Sequence, residues 1–263
     1  MFRYLHPKGD DRPSARTFAR RELEALAAAL ELLTGTPLES ESLANAIELH
    51  REIHSLRARL MDRRRFLPLD DLALYTVLRR GEFLWPSDHL TELREATATL
   101  EETPVRSGVP VMITGLVPEP MTIFSALDDA GAFVVADDYA AVGRRIVRDH
   151  PEVAPDPLDT LVDLQFAGPP CSTRTIAQQR RLDELEQTFD RSGAAGLIIH
   201  MVKFCEPELF DVPLIRRRFE SRGAPVLYLE SELERDLAGQ TVTRVEAFVE
   251  MLRPIQIQMG SAP

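Results

Sequence analysis

Apolar residues in the first hundred positions recur at steps of three and four, which is the period of an α-helix. The first such stretch predicts a helix that Ser14 caps and Gly35 ends, because serine accepts from free N–H groups and glycine adopts the left-handed conformation easily. Three more helices are predicted, at 41–63, 70–80 and 87–101. Residues 1–103 are therefore predicted to form a helical segment.

Beyond residue 103 the pattern changes to short, continuous apolar runs separated by helical stretches. Four of these runs are predicted to be buried strands, at 109–115, 132–136, 196–201 and 224–230. Helices are predicted up to residue 130 and at 174–191, 207–222 and 241–252. The proline-rich stretch 151–170 is predicted to form loops near the ligand edge of the sheet. Alternating strands and helices predict a doubly wound parallel sheet, so residues 104–263 are assigned to an α/β domain.

Composition narrows the class of protein. The 263 residues are 44% hydrophobic, which is enough for a substantial core, and their formal net charge is −11. The acidic balance argues against nucleic acid or an anionic membrane as a partner, because both need a basic footprint. The chain does not start like a signal peptide, and no run approaches the ~18 apolar residues of a membrane span. Two cysteines do not make a secreted disulfide scaffold, so a cytoplasmic protein is expected.

The two cysteines, Cys171 and Cys205, are the main candidates for chemistry. Cys205 follows the apolar run 196–201, at the carboxyl end of a predicted strand, where ligands bind to open α/β sheets. Both cysteines precede predicted helices, whose free N–H groups and dipole favour an anionic thiolate or an electron-rich cluster. They are far apart in the sequence and form no compact metal motif, so two buried structural cysteines are the alternative.

Two histidines one helical turn apart form a second candidate. His50 and His54 could share a metal, but Arg51 stands where a zinc-protease motif needs glutamate. A solvated helix flank that also carries Arg57 is therefore the favoured interpretation.

Charged residues near the predicted strand ends are ambiguous. Asp137 and Asp138 could contact a ligand or cap a helix that begins near residue 139, and capping is favoured. Glu230 is ambiguous in the same way. The pair Arg144-Arg145 could meet a phosphate or mark an exposed helix end. The sequence contains no dinucleotide fingerprint and no P-loop.

Five stretches near the end of the chain occur in a specific order and spacing. They are Gly196-Leu-Ile-Ile, Lys203-Phe-Cys-Glu206, Phe210-Asp-Val-Pro-Leu214, Gly223-Ala-Pro-Val-Leu227 with Glu230, and Thr243-Arg244-Val-Glu-Ala-Phe248-Val-Glu250. In this order they resemble the C-terminal part of the 2-hydroxyacyl-CoA dehydratase / benzoyl-CoA reductase subunit family. Pro170-Cys171 resembles the family's earlier cysteine, and the strands at 111–115 and 130–138 resemble those that precede it. Leu32-Leu-Thr-Gly35 resembles the linker between the family's two α/β halves.

The resemblance implies an α/β fold with a flavodoxin-like parallel sheet of about four strands. It also implies a [4Fe-4S] cluster, with Cys171 and Cys205 as two of its three protein ligands. Subunits of this family usually begin with another α/β domain of about a hundred residues. This chain is expected to start near the linker, so the third cysteine ligand would come from outside it.

The implied function is that of a subunit of an iron–sulfur-dependent 2-hydroxyacyl-CoA dehydratase, which removes water from a CoA thioester by one-electron radical chemistry. A benzoyl-CoA reductase-type subunit, another use of the cluster and a cluster-free scaffold are the alternatives. The implied partners are a related subunit, an ATP-dependent electron-donating activator protein and the acyl-CoA substrate. The chain is not expected to be active alone, and no catalytic acid or base is assigned.

Overall fold

Helices form the first hundred residues of the computed structural model, as the pattern predicts. The structure describes residues 3–174, 177–233 and 236–260, the last six as backbone only. The first four helices are α1 (Pro13–Thr34), α2 (Ser40–Asp62), α3 (Asp71–Arg80) and α4 (Pro86–Ala98). Gly35 ends α1 with a left-handed φ of 68°, as predicted. Ser14 is not its cap: α1 begins at Pro13, because proline suits the first helical position, and Arg12 precedes it without a side-chain capping bond.

A parallel sheet of four strands follows. Its strands are β1 (Val109–Gly115), β2 (Ala132–Tyr139), β3 (Gly196–Val202) and β4 (Val226–Ser231), in the order β2-β1-β3-β4. Every neighbouring pair is parallel. The chain moves outward from β1 to β2 and then crosses back to β3, so the switch point of the topology lies between β1 and β3. The predicted flavodoxin-like α/β fold is confirmed.

Six further helices in the described part of the chain connect and cover the strands. They are α5 (Thr122–Asp129), α6 (Pro157–Ala167), α7 (Gln178–Ser192), α8 (Glu206–Leu209), α9 (Val212–Glu220) and α10 (Gly239–Gly260). The predicted loop at 151–170 is wrong, because α6 occupies most of it. Asp156 accepts a hydrogen bond from the N–H of Leu158, and Pro157 stands at the first helical position. These are strong start signals for a helix.

Three predicted helix bounds are also wrong. The last helix, predicted to end at residue 252, continues as α10 to Gly260. The single helix at 207–222 is divided into α8 and α9. Pro213, in the first turn of α9, has no N–H to continue a helix from α8. The helix predicted from residue 174 begins at Gln178, and a single 3-10 turn, Ser172–Arg174, precedes it.

One apolar core joins the helical segment to one face of the sheet. Leu74 and Leu93 of α3 and α4 share this core with Val111 and Ile113 of β1, and all four are fully buried. A second cluster covers the opposite face, where α7 and α9 pack on β3. The predicted division at residue 103 falls between α4 and β1 and stays a prediction.

At each edge of the sheet, a polar side chain forms a hydrogen bond with a backbone group of the edge strand. At the β2 edge, Asp71 accepts a hydrogen bond of 2.8 Å from the N–H of Val134, and Arg106 pairs with Asp71 at 2.6 Å. The register of β2 against β1 shifts within the same stretch. At the β4 edge, Arg244 donates to the carbonyl of Tyr228 at 2.7 Å. Both edge strands therefore have a backbone group that a side chain already holds.

Among the described residues, no helix has the length and apolar character needed to cross a membrane.

Candidate functional site

The carboxyl ends of β1 and β3 meet at the switch point, where Gly115 pairs with His200. The chain leaves β3 through Phe204, whose φ of 66° lies in the left-handed region that bulky residues rarely adopt. Cys205 comes next, half-buried, at the position before α8. The prediction that Cys205 follows a strand and precedes a helix is confirmed, although this helix has only four residues.

Cys171 is buried and held by hydrogen bonds. Its Sγ accepts from Nη1 of Arg144 at 3.3 Å and lies 3.0 Å from Oγ1 of Thr173. It was expected at the start of a long helix, but only the short turn Ser172–Arg174 follows it. The positive charge beside the Cys171 sulfur therefore comes from the guanidinium group of Arg144 and not from the N-terminus of α7.

Arg144 connects the segments that carry the two cysteines. Besides Cys171, its Nη1 donates to Oε1 of Glu208 at 2.6 Å, and its Nη2 donates to Oε2 of Glu208 at 2.8 Å. Glu208 lies in α8, and its own N–H donates to the carbonyl of Cys205 at 3.2 Å. One guanidinium group thus links the sulfur of Cys171 to the short helix that begins after Cys205.

The same guanidinium group is anchored to the sheet. Its Nε donates to the carbonyl of Asp138 at 2.8 Å, and its Nη2 donates to the carbonyl of Gly115 at 2.7 Å. All five N–H donors of arginine are therefore used. Burial acts to lower the pKa of Arg144, but Asp138 and Glu208 outweigh it and the pKa is raised. The expectation of a phosphate contact or an exposed helix end does not describe Arg144, whose side chain is 1% exposed.

The sequence favoured a helix-capping role for Asp138, but Asp138 caps no helix. It lies in β2, and its carboxylate accepts hydrogen bonds from Thr114 and Arg181 and pairs with Arg144. These partners come from β1, α7 and the turn after β2, so Asp138 contributes to the same buried network.

Asp137 has a similar role on the other side of β2. Its Oδ2 accepts from Arg64 and from the hydroxyl of Tyr75, and its Oδ1 accepts from the N–H of Gly143 at 3.0 Å. The last bond supports the 3-10 turn Gly143–Arg145, but no helix begins near residue 139. The capping interpretation fails because β2 continues to Tyr139, three residues beyond its predicted end.

The histidines of α2 are not a simple solvated flank. His54 accepts a hydrogen bond of 3.0 Å from the N–H of Val147, and its ring packs edge-on against His150 at 4.9 Å. Burial, followed by the nearby positive groups, lowers the pKa of His54 to about 4. His50 is exposed, His54 is half-buried and Arg57 is buried.

His200, a buried histidine that the sequence did not single out, connects the ends of β2 and β4 through hydrogen bonds. Nδ1 of His200 lies 2.8 Å from the hydroxyl of Tyr139, and its Nε2 lies 2.9 Å from that of Ser231. Burial lowers the pKa of His200 to about 4, so the ring is neutral at pH 7. Glu230 is exposed beside this group and takes no part in it.

A cleft of about 640 Å³ runs beside β2. Its lining comes from the end of α2, the outer edge of β2, one face of α7 and the segment 167–170, which directly precedes Cys171. Arg148, Arg180 and Arg191 line it together with acidic side chains. The cleft therefore offers charged groups of both signs, and the segment just before the buried thiol is part of its lining.

Thiolates are the usual ligands of iron–sulfur clusters, so Cys171 and Cys205 fit such a group in kind. The described part of the chain has no cluster of three or more cysteine, histidine or acidic side chains suited to a metal ion. The residues present therefore fit part of a ligand set, and the full sequence has only these two cysteines.

Glu208 is a second residue of this site that sequence reasoning missed. A glutamate three positions after Cys205 looks like an exposed residue in the first turn of a helix, yet it is 2% exposed. One signal in the sequence could have indicated it. Arg144 follows a predicted strand, and an arginine that is buried there needs an acidic partner.

Comparisons with known proteins identify the family of the chain. The family described as 2-hydroxyglutaryl-CoA dehydratase, D-component, matches residues 1–252. The beta subunit of lactoyl-CoA dehydratase from Anaerotignum propionicum is 27% identical over 253 residues, 95% of this chain and 68% of that protein. The beta subunit of (R)-phenyllactyl-CoA dehydratase from Clostridium sporogenes is 26% identical, over 94% of this chain and 66% of that protein. A benzoyl-CoA reductase subunit from Thauera aromatica is 28% identical, over 78% of this chain and 55% of that protein.

The fold and these matches thus define an α/β protein related to acyl-CoA dehydratase and reductase subunits. The chain belongs to the 2-hydroxyglutaryl-CoA dehydratase D-component family, as the resemblance predicted. It spans about two thirds of the length of the two dehydratase subunits named above.

Proposed function

We propose that this chain is a subunit of a 2-hydroxyacyl-CoA dehydratase and that Cys171 and Cys205 are ligands of a [4Fe-4S] cluster. The observation that carries the proposal is the connection through Arg144. This side chain joins the Cys171 sulfur to α8 at the strand ends where open α/β sheets bind their ligands. Arg144 thus contacts one thiol directly and is connected to the segment of the other through Glu208.

The residues of the chain supply ligation, orientation and shielding. Cys171 offers a buried thiol, and Cys205 offers a half-exposed one that a second polypeptide could approach. Since the sequence contains two cysteines, the third protein ligand comes from another polypeptide segment. When bound, the cluster supplies a low-potential electron to the thioester of an acyl-CoA. The chain is therefore inactive alone and acts with a related subunit and an ATP-dependent electron donor.

The cleft beside β2 suits part of the acyl-CoA substrate. The segment that leads to Cys171 forms part of its lining, and its arginines can pair with phosphate groups. A ligand there would place its reactive end near the buried thiol.

The test is anaerobic co-expression with the polypeptide encoded by the neighbouring reading frame, followed by iron and sulfide analysis and electron paramagnetic resonance. Each copy of the wild-type chain in the complex is expected to carry about four irons and four sulfides, as one cluster of this type requires. Cys171→Ser and Cys205→Ser should each lose most of the iron, whereas Ser172→Ala, next to Cys171, should keep it. Wild-type protein without iron under these conditions would reject the cluster and favour a cluster-free scaffold.

Aromatic ring reduction is the second candidate. The benzoyl-CoA reductase relative shares 28% identity with the chain, close to the values for the dehydratase subunits. Assays of the loaded complex with a 2-hydroxyacyl-CoA and with benzoyl-CoA separate the two activities. Turnover of benzoyl-CoA alone would replace the dehydratase assignment.

A further inference from the structure

Arg144 lies between the two segments that carry the thiols. It donates from Nη1 to the sulfur of Cys171 and holds Glu208 through two parallel bonds of 2.6 and 2.8 Å. Glu208 in turn donates from its backbone to the carbonyl of Cys205. We propose that Arg144 is a positioning residue that holds both thiols toward one common point, an inference that rests on the proposed cluster site.

The anchoring of Arg144 explains how one side chain can hold two separate segments. Its remaining donors bind the carbonyls of Gly115 and Asp138, which belong to the ends of β1 and β2. The guanidinium group is therefore fixed relative to the sheet, and Cys171 and α8 are fixed relative to the guanidinium group. Lysine has the same charge but lacks the planar fork, so it cannot make the two parallel bonds to Glu208.

The contact with sulfur adds an electronic role. A hydrogen bond from a cationic group to a thiolate withdraws electron density, and such bonds tune the potential of iron–sulfur clusters. A residue that only stabilised the fold would not touch a ligand atom. Arg144 is therefore expected to affect the spectrum of a bound cluster as well as the arrangement of the empty thiols.

The test uses the metal-free full chain, in which the two thiols are the only cysteines. A bimane reagent that becomes fluorescent only after both of its arms have reacted measures how fast the thiols are bridged. Single alkylation rates for each cysteine normalise the result for thiol reactivity. The variants are Arg144→Lys and, as the matched control, Arg145→Lys, whose native side chain is about half exposed and pairs with Glu82.

Wild-type chain and Arg145→Lys are expected to bridge at the same rate. Arg144→Lys is expected to bridge about tenfold more slowly, because the hydrogen bonds lost to a charged partner contribute at least a factor of this order. After reconstitution, its electron paramagnetic resonance spectrum should differ from that of wild type. Bridging of Arg144→Lys at the wild-type rate would overturn the positioning role and leave the cluster assignment intact.

Two further outcomes are defined. If both wild-type thiols alkylate singly but never bridge, they do not share a site, and the cluster proposal fails together with the positioning role. If Arg144→Lys does not fold by circular dichroism, Glu208→Gln replaces it, since glutamine keeps one oxygen acceptor and removes the charge. Slower bridging in Glu208→Gln supports the proposal, and an unchanged rate rejects it.

Discussion

The buried ion pair between Arg64 and Asp137 should account for several kcal/mol of coupling between the helical segment and the sheet. Arg64 lies in the 3-10 turn after α2, Asp137 lies in β2, and their side chains are 1% and 0% exposed. Tyr75 bonds to both of them. Removal of one partner leaves an unpaired charge in the interior, which costs about 3–5 kcal/mol.

The perturbation is a double-mutant cycle of Arg64→Met and Asp137→Leu. Each single variant should lose about 3–5 kcal/mol of unfolding free energy, because it strands the other charge. The double variant removes both charges, so it should be less destabilised than the sum of the singles, with a coupling of about 2 kcal/mol or more. Asp137 also accepts from the N–H of Gly143, but that loss occurs in both Asp137 variants and cancels.

The assay is equilibrium unfolding in urea, monitored by far-ultraviolet circular dichroism. The matched control is the pair Arg148–Asp62, at 2.5 Å but with side chains 51% and 57% exposed. Its cycle should show a coupling below about 1 kcal/mol, as for exposed ion pairs. If the two cycles give the same small coupling, the argument from burial is wrong. If Arg64→Met does not fold, Tyr75→Phe tests the same group by removing one buried hydroxyl, at about 1–3 kcal/mol.

Three other predictions follow from single positions. Phe204→Asn should stabilise the chain by up to about 1 kcal/mol in urea unfolding, because asparagine tolerates φ > 0 better than phenylalanine. The control Phe210→Asn changes a residue that is also exposed but has a φ of −64°, so it should give no gain, and equal effects of the two variants would contradict the strain argument. Gly115→Ala should cost about 1–3 kcal/mol in the same assay, because its Cβ would clash with the His200 carbonyl oxygen, whereas Gly239→Ala should be neutral. The pKa of His200 in the folded protein, about 4, is below its unfolded value. The free energy of unfolding should therefore be highest above pH 6.5 and fall by about 3 kcal/mol as the pH is lowered to 4. An NMR titration of the His200 ring with a midpoint above pH 6 would refute this prediction.

The sheet was largely predictable because its signals are local. β1 and β3 are continuous apolar runs, so their positions follow from a few adjacent residues. The missed helix α6 also had local start signals in Asp156 and Pro157, but the density of prolines around them indicated loop instead. The break between α8 and α9 was similarly marked by Pro213.

The site was predictable only in part, since its contacts connect distant residues. Cys205 could be placed at a strand end from its neighbours alone. The pairing of Arg144 with Glu208 joins positions 64 residues apart, and no local pattern encodes it. Asp137 and Asp138 were expected to cap a helix because two aspartates after an apolar run are typical of a cap. Their arginine partners, Arg64 and Arg181, lie 73 and 43 residues away in the sequence, so no local pattern indicates them.

The occupied edges of the sheet limit how this protein can assemble. With Asp71 holding the N–H of Val134 at one edge and Arg244 holding the carbonyl of Tyr228 at the other, an incoming strand would have to displace a side chain before it could pair. Edge strands protected in this way resist the intermolecular β-pairing that leads to aggregation. Association with a second polypeptide through side-chain surfaces, where residue identity selects the partner, would need no such displacement.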